Sequence, residues 1–157
     1  MSICIGIDPG KITGLAIYDR ESKSLVKLAS TNFWDCYGYI LTTYPDIDEV
    51  HSIVIEVPET KKTWSLDSRL RRLSYQDRNK FLTEAAVAMK ISHDVGRVCR
   101  ESELLADGLE KAGYTVLTHH PTGKGKQLDK FSFKRITGWP KVTNEHTRDA
   151  AMMVWDV

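Results

Sequence analysis

The chain has 157 residues, the size of one ordinary domain, and we expect residues 1–157 to form a single compact unit. Its hydrophobic share of 41% and charged share of 27% are typical of a globular protein, and no apolar run reaches the roughly 18 residues of a membrane span, which excludes a membrane role. The formal charge of +1 gives by itself no reason to propose a nucleic-acid partner.

The chain opens with three predicted strands, at residues 3–8, 13–19 and 25–31. Each is mainly apolar, and short polar turns separate them, so the spacing predicts an antiparallel three-stranded meander. A short helix follows at 34–44, closed by Pro45.

An apolar run at 52–57, ending at Pro58, predicts a central strand. The longest helical pattern spans 82–111 and stops before Gly113. It carries two apolar stripes, which form either one broad core face or a core face and a dimer contact; they are Leu82, Ala86, Met89 and Gly96, and Val87, Ile91, Val95 and Val98.

A further strand is predicted at 114–118 and a final helix at 144–155, with Thr143 or Asn144 as its N-cap. A meander followed by alternating helices and strands indicates an α/β protein with a mixed five-stranded sheet and helices on both faces. Ligands in such sheets collect at the carboxyl ends of strands. The ends of the first and fourth strands are therefore the places to look for chemistry.

Two carboxylates stand at those ends, because Asp8 closes the first strand and Glu56 the fourth. A lone buried carboxylate is costly, so each should have a partner or a metal. On the last helix, His146 and Asp149 are three residues apart and share a face. Carboxylates with one imidazole suit Mg²⁺ or Mn²⁺, and two such ions about 4 Å apart can drive phosphodiester hydrolysis. Taken singly, Asp8 also fits a turn residue, Glu56 a strand end and Asp149 a surface charge.

Three segments resemble the motifs of the RuvC-type Holliday junction resolvases: IGIDPG with TGLA at 5–10 and 13–16, VIE at 54–56, and H-x-x-DAA at 146–151. Together they span nearly the full chain, although related phosphate-binding ATPases share the first motif. The resemblance implies an RNase H-like fold, a catalytic and metal-binding set of Asp8, Glu56, His146 and Asp149, and two Mg²⁺ ions that Mn²⁺ can replace. It also implies a homodimer that makes paired nicks across a four-way DNA junction, or cuts other branched DNA. His146 would be a ligand or a proton shuttle, with Glu145 as its substitute.

Two basic segments are candidates for DNA binding, and otherwise they are solvated loops. Trp64 either stacks on unpaired bases or folds back on the core. The family's glycine-rich stretch before a lysine is matched only loosely, by GKGK at 123–126, which leaves the phosphate-contacting lysine open. The candidates are Lys61, Lys62, Trp64, Arg69, Arg71 and Arg72 in the first segment, and Lys124, Lys126 and Lys134 in the second.

Two other functions remain open at this point. An ATP-binding domain of the actin and Hsp70 type also opens its phosphate loop with Asp-x-Gly, but such proteins need two of these domains. A junction-binding protein without catalysis would not need Asp8, Glu56 and Asp149 together. Only a test of metal dependence separates it from a nuclease.

The cysteines are odd in number and widely spaced, so we expect Cys4, Cys36 and Cys99 to be reduced and mostly buried, without a disulfide or a zinc site. The apolar strand begins at once, without the features of a secretory signal. We therefore expect a cytoplasmic protein, of a bacterium or of a phage-infected host cell.

Overall fold

The computed structural model describes residues 2–58, 84–120 and 128–156. They form an α/β fold around a five-stranded mixed sheet with the strand order β3-β2-β1-β4-β5. The elements are β1 (Ile3–Asp8), β2 (Thr13–Asp19), β3 (Ser24–Thr31), α1 (Phe33–Thr43), a 3-10 helix (Ile47–Glu49), β4 (Val50–Glu56), α2 (Glu84–Lys111), β5 (Val116–His119), α3 (Lys130–Thr137) and α4 (Glu145–Met152).

The meander prediction is confirmed, because β2 pairs antiparallel with both β1 and β3. The other two strands run parallel to their neighbours, β4 beside β1 and β5 beside β4. β1 therefore has a partner on each side, and all six of its residues are buried. Its side chains alternate between the two faces of the sheet.

On one face, Ile3, Ile5 and Ile7 pack in the larger core beneath α1 and α2. Among the described side chains of α2, the fully buried apolar ones, Leu105 and Leu109, lie in its second half. The two apolar stripes predicted for the first half of α2 do not form one broad core face. In the stripe that contains Met89 and Gly96, Met89 is 74% exposed and Gly96 is exposed too. Leu82 lies outside the described residues.

The other face carries a second core beneath α3 and α4, and its buried residues are Cys4, Ala16, Tyr18, Leu25, Val54, Phe133, Ala150, Ala151 and Val154. Two glycines of the sheet allow α4 to lie directly on the strands. A Cβ at Gly6 would collide with the carbonyl of Ala150, and one at Gly14 with the carbonyl of His146. Helices on both faces of the sheet were expected and are confirmed.

Several boundaries differ from the sequence-based expectation. α4 ends at Met152 rather than at 155, and β5 begins at Val116 rather than at 114. The helix α3 was not predicted at all. The three cysteines are free and buried, as expected. Within the described ranges, no helix has the length and apolarity to cross a membrane.

Candidate functional site

The carboxylates of Asp8 and Glu56 stand side by side at one edge of the sheet. Ile7 of β1 pairs with Ile55 of β4, and each acid is the next residue along its parallel strand. Side chains alternate between the two faces along a strand, so Asp8 lies on the same face of the sheet as Gly6, which is the face covered by α4. Glu56 lies on that face for the same reason, together with Val54. The first and fourth strands are thus neighbours, and their carboxyl ends bring the two acids together.

The helix α4 brings the third part of the site over this edge. Its N-cap is Asn144, whose side chain accepts from the backbone N–H of Thr147 in a capping box. The Nδ2 atom of Asn144 also donates to the Oγ atom of Ser30 at 2.6 Å, which ties the start of α4 to β3. The helix therefore begins at a fixed place beside the sheet.

His146 contacts Asp8 directly, with 2.8 Å between Nδ1 of the imidazole and Oδ2 of the carboxyl group. The second ring nitrogen, Nε2, lies 3.9 Å from Oε1 of Glu145. The side chain of His146 is 33% exposed and that of Glu145 is 54% exposed. Of the two residues considered for this position, it is His146 that reaches the first strand.

Burial and repulsion from neighbouring carboxylates raise the pKa values of both strand-end acids, Asp8 and Glu56. Burial first, and then the charges of Asp8 and Asp149, raise the pKa of Glu56 from 4.5 to about 7, although His146 opposes the rise. Burial also raises the pKa of Asp8, with smaller contributions from Asp149 and Glu145, while the hydrogen bond and charge of His146 lower it. Asp149 therefore lies close enough to act on both strand-end carboxyl groups.

The donors suit a hard divalent cation, but their arrangement is not that of a closed metal site. Carboxylate oxygens and one imidazole nitrogen are appropriate ligands for Mg²⁺ or Mn²⁺. The raised pKa values of Asp8 and Glu56 indicate negative charge that the protein itself leaves poorly compensated. Across residues 2–58, 84–120 and 128–156, no group of three or more histidine, cysteine, aspartate or glutamate side chains is arranged to hold a metal ion.

The proposed DNA-binding residues fall mostly beyond what the structure describes. Lys134 is exposed on α3. The remaining candidates lie outside the described residues; they are Lys61, Lys62, Trp64, Arg69, Arg71, Arg72, Lys124 and Lys126.

Arg148 was not singled out from the sequence, although it lies between His146 and Asp149. Its Nε atom donates to the carbonyl of Leu128 at 2.7 Å, and its Nη1 atom donates to the carbonyl of Thr143 at 3.2 Å. Leu128 precedes α3 in the chain and Thr143 follows it, so these hydrogen bonds of Arg148 hold α3 against α4. Nothing in the sequence marks these acceptors, because both are backbone atoms.

The arrangement gathers ionisable side chains from three distant segments of the chain at one sheet edge: Asp8, Glu56, His146 and Asp149. Chemically, it can attract a cation and can hold or move a proton at the imidazole. Comparison of the chain with protein-family models, with curated proteins and with solved structures gives no match.

Proposed function

We propose that the protein is a metal-dependent endonuclease of the RuvC type, with an RNase H-like fold, that cuts four-way junctions and other branched DNA. The observation that carries this proposal is the position of Asp8 and Glu56 at the ends of adjacent parallel strands, with His146 of α4 bonded to Asp8. A mixed five-stranded sheet with helices on both faces also supports it.

In this proposal the carboxylates of Asp8, Glu56 and Asp149 and a nitrogen of His146 would hold the metal. These side chains would have to close around the ion, since within the described residues they do not already form a metal site. Two Mg²⁺ ions, or Mn²⁺ in their place, would supply the Lewis-acid chemistry for attack of water on a phosphodiester. The raised pKa of Glu56 supports a cation here, because a nearby positive charge would favour its ionised form.

The protein side chains have separate tasks. The hydrogen bond between Nδ1 of His146 and Oδ2 of Asp8 fixes the plane of the ring. When the imidazole is neutral and Nδ1 carries its hydrogen, Nε2 is the nitrogen that can accept a proton. Asp8 is held by this bond and by its burial at the end of β1. His146 therefore serves as a ligand or as the group that takes a proton from the attacking water.

Recognition in this proposal depends on the shape of the DNA rather than on its base sequence. Phosphate contacts and the deformability of a branch point select the substrate. A homodimer would place two such sites on one four-way junction and so produce paired nicks.

The test compares the wild type with Asp8→Asn, using Asp107→Asn on the exposed side of α2 as the matched control. Synthetic four-way junctions, Y-forks and plain duplex are incubated with and without Mg²⁺, and nicking and gel mobility are both measured. We expect Asp8→Asn to lose cleavage by at least about a thousandfold while it binds junctions nearly as well as the wild type, since only the chemistry depends on the acid.

Asp107→Asn should cleave normally. Full activity of Asp8→Asn would defeat the proposal. If the wild type binds junctions but does not nick them with either Mg²⁺ or Mn²⁺, the protein is a junction-binding protein without catalysis. Binding of ATP in calorimetry, without any nicking, would favour the nucleotide-binding alternative.

A further inference from the structure

The exposed side of α3 combines three cations with one aromatic ring. With 100° per residue, Lys130, Lys134, Phe131 and Arg135 follow one another around an arc of about 140°. All four residues are exposed, while Phe133 points the other way and is buried in the core under α4. The side of α3 formed by Lys130, Phe131, Lys134 and Arg135 is called the basic-aromatic face below.

Phe131 is unusual for an exposed residue because it is 75% accessible in the first turn of a helix. The Nζ atom of Lys130 lies 5.0 Å from the centre of its ring, within the range of a cation–π contact. A flat apolar ring is thus presented to solvent with positive charge beside it. Such a pair fits an unstacked nucleobase next to its phosphate.

The charge of this face is unbalanced. The helix from Lys130 to Thr137 contains no acidic residue. Asp129 before it accepts hydrogen bonds from the backbone of Phe131 and Ser132 and from the hydroxyl of Ser132, and it sets one negative charge against three positive ones. Three neighbouring cations repel one another unless an anion lies against them. A polyanion is the complementary partner.

The position of the basic-aromatic face relative to Asp8, Glu56 and His146 is fixed by contacts between α3 and α4. Arg148, which stands between His146 and Asp149, bonds the carbonyl of Leu128 before α3 and that of Thr143 after it. Phe133 packs in the same core as Ala150 and Ala151 of α4. The helix α3 therefore lies on the same face of the sheet as Asp8 and Glu56, held by the helix that carries His146.

We infer that the basic-aromatic face binds branched DNA, with Lys130, Lys134 and Arg135 on the phosphates and Phe131 stacked on an unpaired base at the branch point. The inference rests on the proposed function for its partner, and it deepens that function by naming the part of the DNA that this surface reads. A fully paired duplex offers only the phosphates, whereas a branch point or a single strand also offers the base.

Binding is measured by fluorescence anisotropy without metal, so that no cleavage occurs, on single-stranded, duplex and four-way-junction DNA over a range of salt concentrations. One variant, Lys130→Gln/Lys134→Gln/Arg135→Gln, removes the three charges. Its control, Lys23→Gln/Lys90→Gln/Lys111→Gln, removes three exposed cations elsewhere. We expect the first to weaken binding to all three DNAs about tenfold or more, and to lower the slope of log affinity against log salt by about 2 to 3.

The aromatic ring is tested separately with Phe131→Ala. Its control is Trp34→Ala, an equally exposed aromatic of α1 on the opposite side of the sheet, at 75% accessibility. We expect Phe131→Ala to bind single-stranded and junction DNA about tenfold less tightly and duplex within about twofold of the wild type. Phe131→Trp, which keeps an aromatic ring, should bind like the wild type. Thermal melting should show that all variants are folded.

Different results would contradict the DNA-binding surface on α3 and the nuclease proposal. If the wild type nicks junctions but both α3 variants bind like the wild type, the surface is wrong and the nuclease proposal stands. If the wild type never nicks but loses DNA binding through these variants, the surface stands and the nuclease proposal falls. A wild type that binds none of the three DNAs overturns the surface as well.

Discussion

The imidazole of His146 lies 2.8 Å from the carboxyl group of Asp8, although 138 positions separate the two residues in the chain. This contact joins the last helix to the end of the central strand. It also sets the electrostatics of the edge, because the hydrogen bond and charge of His146 are the two effects that lower the pKa of Asp8. The behaviour of Asp8 should therefore depend on His146.

Removing that imidazole should make Asp8 harder to ionise. In His146→Ala the two lowering effects vanish while burial and the repulsion from Asp149 and Glu145 remain, so the pKa of Asp8 rises further. The carboxyl carbon of Asp8, followed by NMR through a pH titration of the metal-free protein, measures this directly. The acid limb of any remaining nicking activity should move to higher pH.

His93→Ala is the matched control, since His93 is a highly exposed histidine of α2. It should leave the titration of Asp8 unchanged. An Asp8 pKa that is the same in His146→Ala and in the wild type would show that the contact has no electrostatic effect.

The metal-free protein should become less stable as the pH rises through the range in which Glu56 ionises. The pKa of Glu56 is raised from 4.5 to about 7 by folding, so its contribution is fully present below pH 4.5 and lost as the pH approaches 7. Glu56→Gln imitates the protonated acid and should be the more stable protein at pH 8. After allowance for solvent screening of this partly exposed group, we expect a gain of about 1–2 kcal/mol, or about 4 °C in melting temperature.

Thermal melts in a chelating buffer at pH 4.5 and pH 8 provide the measurement. Glu110→Gln, an exposed residue of α2, serves as the control and should have little effect at either pH. The two proteins, wild type and Glu56→Gln, should differ little at pH 4.5. A loss of stability in Glu56→Gln at pH 8 would contradict the prediction.

The close approach of α4 to the sheet should not tolerate a side chain at Gly14. A methyl group there would collide with the backbone carbonyl of His146, which is not free to rotate away. We expect Gly14→Ala to lower the free energy of unfolding by about 2–3 kcal/mol and to displace His146 from Asp8. Urea denaturation and the NMR titration of Asp8 measure the two effects.

Gly38→Ala in α1 is the matched control, because no atom lies within 4 Å of the added methyl group. Alanine is the better helix former, so this variant should gain about 0.5–1 kcal/mol. Equal stability of Gly14→Ala and Gly38→Ala would mean that α4 does not rest on β2 as described.

The strands were the most predictable part of the fold. β1 and β2 have the bounds that were expected, Ile3–Asp8 and Thr13–Asp19, because continuous apolar runs with polar turns leave few other interpretations. The helix α3 was missed because it is short, strongly basic and buries one large residue, Phe133. Its end signals were present, with Asp129 as N-cap and Gly138 just after the helix.

The candidate site was predictable as a list of residues but not as a geometry. Strand ends and helical spacing were enough to select Asp8, Glu56 and Asp149. They were not enough to choose between Glu145 and His146, because adjacent helix positions point about 100° apart and the direction depends on how α4 packs. The role of Arg148 was equally hidden, since two of its acceptors are the backbone carbonyls of Leu128 and Thr143, which no sequence pattern marks.

The most direct test is whether the carboxylates of Asp8, Glu56 and Asp149 bind divalent cations. Metal-free protein labelled with ¹⁵N is titrated with Mn²⁺, and the paramagnetic broadening of each amide resonance is measured, with Mg²⁺ as competitor. We expect saturable broadening centred on Asp8, Glu56 and Asp149, reversed by Mg²⁺ and strongly reduced in Asp8→Asn. Broadening scattered over exposed acids elsewhere, and equal in Asp8→Asn and the wild type, would contradict a metal site at this edge.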